Sequence, residues 1–208
     1  MNSFDWLVII ELAITNLIVL GVLIYLYRKQ RELRSILPQE ETSKAVKILS
    51  VIAGPDLDKV EIEKTLYSTD INYTLLTYDS VSKDSLLAEL SKRVTIFELS
   101  SHGLNGEFRL GNSTIPIEWL SRALKGCKDL QCILLLYCNS YLDLPTLKDE
   151  GRYIIGLIGD VADKSCITFA RHFYYYLDRK YGYAEAFEAS RLHLPVEDFG
   201  KFILDGNL

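Results

Sequence analysis

Short runs of Val, Ile and Leu alternate with amphipathic stretches along the chain from residue 46 onward. The apolar runs predict strands at residues 46–53, 71–78, 94–99, 132–137 and 153–157. The stretches between and after them predict helices at residues 59–66, 82–92, 117–124, 164–181 and 184–193. This alternation predicts an α/β fold, with a mostly parallel sheet that carries helices on both faces.

Turn signals refine this pattern in two places. Residues 107–110 and 113–117 flank Gly111 and Asn112, a combination that is typical of a β-hairpin. Near the C-terminus, Pro195 ends the last predicted helix. We therefore expect two helices to close the domain.

The N-terminal pattern is different, because residues 7–27 form a mostly apolar run. A helix of about 20 such residues spans the hydrocarbon core of a bilayer. Arg28 and Lys29 follow the run directly, whereas Asp5 is the one charged residue in the six residues before it. The positive-inside rule then predicts a single-pass protein of the cell membrane, with its N-terminus outside and its C-terminal domain in the cytoplasm.

Two other interpretations of this run remain open, a cleaved signal peptide and a buried core helix. Glu11 favours the core helix, because a carboxylate is costly in lipid. In a membrane helix, Glu11 and Thr15 share one face, either near the interface or in a helix–helix contact of a homo-oligomer. The predicted domains are thus a transmembrane anchor (1–29), a juxtamembrane linker (30–45) and a folded domain (46–208).

Composition and charge argue against several classes of function. Apolar residues make up 49% of the 208 residues, which is enough for a packed core, and the net charge of −5 leaves no electrostatic footprint for nucleic acid. The four cysteines and three histidines do not occur at zinc-ligand spacing. No glycine-rich phosphate loop is present either. We therefore expect no metal, no cofactor and no nucleic-acid partner.

His102 and Cys138 are the candidate catalytic residues, because each stands where a short apolar strand ends. Parallel strands end at one edge of a sheet, so the imidazole and the thiol can approach hydrogen-bonding range there. A neighbouring histidine favours the thiolate, and the backbone N–H groups of Gly103 and Cys138 could stabilise an oxyanion. The competing interpretations are that His102 is a turn residue and Cys138 a small buried side chain.

The other three cysteines and two histidines have simpler interpretations. Cys127, Cys132 and Cys166 have no histidine at a comparable strand end, so we expect buried, reduced thiols. His172 lies in the middle of a predicted helix and is expected to face solvent. His193 ends the last helix, where a cation suits the helix dipole.

Three motifs each follow a predicted strand: Ser101-His102-Gly103, Cys138-Asn139-Ser140 and Gly159-Asp160-Val161-Ala162-Asp163-Lys164. In their order and strand context, residues 46–194 resemble the caspase-like (clan CD) cysteine peptidases, especially the CHAT branch shared with separase. The chain departs from the family pattern at Tyr137, Tyr141 and the pair Ile158-Gly159.

The resemblance implies a cysteine endopeptidase. Together with the apolar run at residues 7–27, it predicts a membrane-anchored enzyme that cleaves protein substrates in the cytoplasm. It further suggests an effector of bacterial antiviral defence or cell death, with an activating protein partner or a homo-oligomer. The alternatives are a catalytically silent caspase-like interaction module and a flavodoxin-like signalling module at the membrane.

Asp160 and Asp163 are candidate substrate-binding residues, since they follow the strand next to the predicted cysteine strand. One of them could instead cap the helix that begins near Lys164, because aspartate is a favoured N-cap. A carboxylate in the pocket would pair with Arg or Lys. The matching segment of separase-like relatives helps to bind a basic residue, so the resemblance implies cleavage after Arg or Lys.

Overall fold

A mostly parallel six-stranded sheet forms the centre of the computed structural model, which describes residues 46–54, 72–104, 106–149 and 151–206. Within these ranges the strand order is β2-β1-β3-β7-β8-β9. The strands are β1 (Lys47–Ile52), β2 (Asn72–Thr77), β3 (Ile96–Ser100), β7 (Cys132–Leu136), β8 (Tyr153–Leu157) and β9 (Phe202–Asp205). The five strands predicted from the apolar runs are confirmed, and they are parallel to one another.

A small antiparallel sheet, β4-β5-β6, accompanies the central sheet in the described part of the chain. Its strands are β4 (Gly103–Leu104), β5 (Glu107–Leu110) and β6 (Ser113–Pro116). The predicted hairpin is confirmed, because Leu110 pairs with Ser113 across Gly111 and Asn112. Gly111 has a φ of 59°, a backbone conformation that glycine adopts without steric cost.

Helices cover both faces of the central sheet. The described helices are α1 (Lys83–Leu90), α2 (Ile117–Lys125), α3 (Leu144–Leu147), α4 (Asp163–Asp178), α5 (Tyr183–Arg191) and α6 (Val196–Phe199). Successive side chains of a strand point to opposite faces. Phe97 and Leu99 of β3 therefore pack into one core with α1 and α2, while Ile96 packs into a second core with α4 and α5. Burial on both faces explains why the strands are almost continuously apolar.

The expectation that two helices close the domain is wrong, because β9 follows them and pairs antiparallel with β8. Its core anchor is Phe202, which is 1% exposed and stacks on Phe169 of α4 with ring centroids 4.5 Å apart. The strand is short and follows Pro195 closely, so its hydrophobic pattern is too brief to predict a strand. Its effect is to bring residues 199–202 alongside the carboxyl end of β8.

A buried polar network joins the sheet to α4. Glu98 of β3 is 1% exposed and lies beside Ser50 in the register of β1 and β3. Ser50 Oγ donates a hydrogen bond to Glu98 Oε1 at 3.0 Å, and the Tyr174 hydroxyl of α4 donates to Glu98 Oε2. Burial raises the pKa of the Glu98 carboxyl, and the two hydrogen bonds oppose that shift. The network therefore fixes α4 against the strand that leads to His102.

Two predicted segments, residues 7–27 and 59–66, lie outside the described residues. Within the described ranges, no helix combines the length and the apolar character needed to cross a membrane.

Candidate active site

The parallel pairing of β3 and β7 brings His102 and Cys138 to the same level of the same sheet edge. Ser100 and Leu136 are register partners on these two neighbouring strands. His102 and Cys138 each follow two residues later. Adjacent strands lie about 4.8 Å apart, so the two residues follow neighbouring strand ends at the same edge. His102 is exposed and Cys138 is half-buried, which leaves both open to a ligand from solvent.

Gly103 lies directly against the backbone of the candidate nucleophile. A Cβ atom at this position would lie 2.7 Å from the Cys138 carbonyl oxygen and 2.5 Å from Cδ2 of Tyr137. Real Cβ atoms almost never make contacts this short, so a larger residue would push the two chain segments apart. The missing side chain therefore lets the segment after His102 approach the Cys138 loop closely.

The backbone N–H of Gly103 faces away from the small sheet. Arg109 N donates to His102 O at 3.3 Å, which makes His102 and Arg109 the hydrogen-bonded pair of this ladder. The next pair, Gly103 and Phe108, is then a pair without ladder hydrogen bonds. Ser101 Oγ reinforces the arrangement by donating to Arg109 O at 2.8 Å. The Gly103 N–H is therefore not used by the β4–β5 ladder.

The buried Tyr137 side chain packs against the segment His102–Gly103. Its ring contacts Gly103, and its hydroxyl donates to Asp143 Oδ2 at 2.6 Å. Burial raises the pKa of the Asp143 carboxyl, while the Tyr137 hydrogen bond opposes that shift. The tyrosine that departs from the family pattern is therefore a fully packed residue that braces the candidate site.

Ser140 bonds to both β7 and β8 beyond the end of their ladder. The register of the two strands runs only as far as Leu134 and Ile155. Beyond that point the buried Ser140 hydroxyl accepts a hydrogen bond from Leu157 N at 2.8 Å and donates to Leu135 O at 2.9 Å. The Ser140 hydroxyl thus satisfies one backbone group of each strand where the β7–β8 ladder stops.

Asp160 and Asp163 are both exposed at this edge, after β8. The alternative in which Asp163 is the helix N-cap is wrong, because Ala162 is the N-cap of α4 and makes no side-chain cap. Lys201 of the segment before β9 donates to Asp160 O at 2.7 Å and pairs with Asp198 at 2.9 Å. Hydrogen bonding to Asp198 raises the pKa of Lys201, and the nearby Asp160 charge adds to the shift. Asp160 therefore already has a cation beside it.

Burial disfavours the thiolate of the other cysteines. Cys127 and Cys132 are buried, and burial raises the pKa of each thiol. Cys166 in the first turn of α4 is half-buried rather than buried as expected. Burial also raises the pKa of its thiol, and Asp163 and Cys138 contribute to that shift. A high pKa disfavours the reactive thiolate in all three.

His172 and His193 interact with each other. Their rings stack with centroids 3.6 Å apart, and Tyr176 Oη lies 3.0 Å from His193 Nε2. The expectation that His172 is simply solvated is wrong, because it is half-buried and burial lowers its pKa. His193 lies just beyond the end of α5.

Sequence reasoning missed Lys201 and Glu98, and it gave no role to the Asn139 side chain. Lys201 could not be connected to Asp160 without β9, which the pattern did not predict. Glu98 did leave a signal, because it is the one charged residue in the strand Ile96–Ser100.

The architecture is similar to that of a solved cysteine proteinase. The chain superposes on the crystal structure of the Arg-specific cysteine proteinase gingipain R with a TM-score of 0.56 and 13% sequence identity. The match covers 77% of this chain and 46% of that one, so this chain spans less than half of the gingipain's length. At this identity the comparison shows the fold alone, and that fold is caspase-like. No protein-family model and no curated protein matches the chain.

The first prediction tests the close approach at Gly103. Gly103→Ala should lower the free energy of unfolding by about 1–3 kcal/mol, as overpacking usually does. The new Cβ would meet the Cys138 backbone and the Tyr137 ring, neither of which can move freely. Denaturant titration measures the effect.

Gly126→Ala is the matched control, because its Cβ would meet only one atom, at an ordinary 3.7 Å, in a right-handed conformation. We expect this control to change stability by less than about 0.5 kcal/mol. Equal stability of the two variants would contradict the close approach.

Proposed function

We propose that the chain is a cysteine endopeptidase that uses Cys138 as its nucleophile and His102 as its general base and acid. The observation that carries the proposal is the register of β3 and β7, which leads both residues out at one level of the sheet edge. Gly103 reinforces it, because its backbone lies against the Cys138 carbonyl. The caspase-like fold adds support. The motifs after three strands add to it, and it is their resemblance alone that favours the CHAT branch.

The chemistry follows from these positions. The Cys138 thiolate attacks the scissile carbonyl, and the N–H groups of Gly103 and Cys138 stabilise the oxyanion that forms. Protonated His102 donates its proton to the departing amine, which leaves a thioester on Cys138. His102 then takes a proton from water, the resulting hydroxide attacks the thioester, and the acid product leaves with the thiolate restored.

The second prediction tests the dyad. Cys138→Ala and His102→Ala should each lower peptide cleavage by about 10³-fold or more, because nucleophile and base act as one unit. Cleavage of a diverse peptide library, followed by mass spectrometry, measures the loss. Both variants should keep the native unfolding transition, since neither position is in the core.

Cys166→Ala is the control, because it removes a neighbouring half-buried thiol and should retain activity. Unchanged cleavage by Cys138→Ala would rule out the proposed nucleophile. If the native protein cleaves no peptide, the catalytically silent interaction module becomes the better account.

For specificity, we propose cleavage after Arg or Lys. The carboxylates of Asp160 and Asp163 stand exposed at the sheet edge that carries Cys138. Of the two, we expect Asp163 to bind the basic side chain, because Lys201 already lies beside Asp160. Gingipain R, whose fold this chain shares, is an Arg-specific proteinase, and its specificity agrees with this preference.

The third prediction follows from that assignment. Asp163→Asn should lower kcat/KM for an Arg substrate by about 10-fold or more, the range expected when a charge-assisted hydrogen bond is lost. Asp160→Asn should have a smaller effect. Peptides that differ only in Arg, Lys or Asp before the scissile bond provide the measurement, and preferred cleavage after Asp would refute the proposal.

We also propose that residues 7–27 anchor the protein in the cell membrane, with the folded domain in the cytoplasm. The support is the length of the apolar run and the basic residues that follow it. The fourth prediction is that a reporter fused after Leu208 is active only in the cytoplasm and stays with the membrane after alkaline extraction. Release of the fusion by alkali would contradict the anchor, and an external reporter would reverse its orientation.

A further inference from the structure

The loop that follows β7 is fastened to the loop that follows β8 by a reciprocal pair of hydrogen bonds. Asn139 N donates to Gly159 O at 3.2 Å, and Gly159 N donates to the Asn139 side-chain oxygen Oδ1 at 3.0 Å. We call this pair the Asn139–Gly159 clamp. It joins the residue next to the candidate nucleophile to the residue next to Asp160.

Both residues of the clamp have left-handed backbones, with φ values of 60° for Asn139 and 68° for Gly159. Glycine adopts this conformation freely, and asparagine is among the few other residues that tolerate it. The backbone of Asn139 turns the chain out of β7 and accepts a hydrogen bond from Leu142 N at 3.1 Å. Its side chain is then left to bind the opposite loop.

The loop after β8 is also held from its other side. Lys201 binds Asp160 O, and Asp198 accepts a hydrogen bond from Ser165 Oγ at 2.6 Å. Ile158 N donates to Lys201 O at 2.8 Å. Residues 158–165 are therefore fixed to the C-terminal segment, while the clamp fixes the same loop to the Cys138 loop.

We propose that Asn139 is a positioning residue that holds the Cys138 thiol at a fixed distance from the substrate-binding loop, residues 158–163. The inference rests on the proposed peptidase function. A peptide whose side chain is bound by that loop reaches the thiol with its carbonyl in one position only. A small alkylating reagent makes no contact with the loop, so its reaction does not depend on the clamp. Misplacement by about 1 Å can cost a large rate factor for the peptide alone.

Two substitutions separate the hydrogen bond from the backbone conformation. Asn139→Gly keeps the left-handed turn but removes the acceptor for Gly159 N. Asn139→Asp keeps an acceptor at the same reach and also tolerates the turn. The Asn139 side chain is exposed, so both variants should fold.

The experiment, our fifth prediction, compares two alkylation rates at Cys138 in the full chain, followed by mass spectrometry of the modified peptide. One reagent is iodoacetamide, and the other is a tripeptidyl chloromethyl ketone with arginine at the reacting end. Both react with the thiolate, so the ratio of the two rates cancels any change in the thiolate fraction. Asn139→Gly should lower the ratio about 10-fold, and Asn139→Asp should stay within about 3-fold of the native protein.

Amide hydrogen exchange tests the clamp without any peptide reagent. Exchange at the Gly159 amide should be faster in Asn139→Gly than in the native chain and close to native in Asn139→Asp. Faster exchange together with a lower rate ratio supports the proposal. An unchanged ratio in Asn139→Gly, or an equal loss in Asn139→Asp, overturns it.

The failure of the proposed function has a different signature. In that case the native protein would react with iodoacetamide but not with the peptidyl reagent, and the exchange result would still report on the clamp. This outcome overturns the positioning role together with the peptidase proposal, while the hydrogen-bonded clamp itself stands. If the native protein reacts with both reagents and the rate ratio falls in Asn139→Gly, the result supports the peptidase proposal and the positioning role of Asn139.

Discussion

The parallel pairing of β3 with β7 is the constraint on which the candidate site depends. Parallel strands in register end at the same edge, and a shift by one residue would turn each side chain to the opposite face. The register of Ser100 with Leu136 therefore decides that His102 and Cys138 leave the sheet together. Burial of β3 and β7 on both faces makes that register costly to change, because every residue of both strands is in the core.

Small polar and glycine positions then adapt the strand ends to a site. Gly103 allows the turn after β3 to touch the Cys138 backbone. The Ser140 hydroxyl bonds Leu135 O of β7 and Leu157 N of β8 where the ladder between these strands stops. Asn139 fastens that loop to the next one at Gly159. Each of these residues satisfies or relaxes the backbone locally, and together they hold the Cys138 loop between two neighbouring loops.

The strong hydrophobic pattern made the parallel core predictable, and the two-residue signal of Gly111 and Asn112 made the hairpin predictable. Because parallel strands end at one edge in this architecture, the position of His102 and Cys138 after neighbouring strands could be predicted as well. The strand β9 could not be predicted, since its four residues, Phe202–Asp205, carry too little periodicity. It is anchored by the packing of Phe202 on Phe169. The contact of Lys201 with Asp160 could not be predicted either, because it depends on β9. The hydrogen bonds of Asn139 and Ser140 depend on loop geometry, for which a single sequence offers no period.

The most direct test of the central claim is whether removal of His102 changes the reactivity of Cys138. The measurement is the rate of Cys138 alkylation by iodoacetamide as a function of pH, in the native chain and in His102→Gln. If the two residues form a dyad at the sheet edge, alkylation near neutral pH should be clearly slower in the variant, because the imidazole no longer favours the thiolate. Superimposable pH profiles would mean that the imidazole and the thiol do not interact, and would contradict the account.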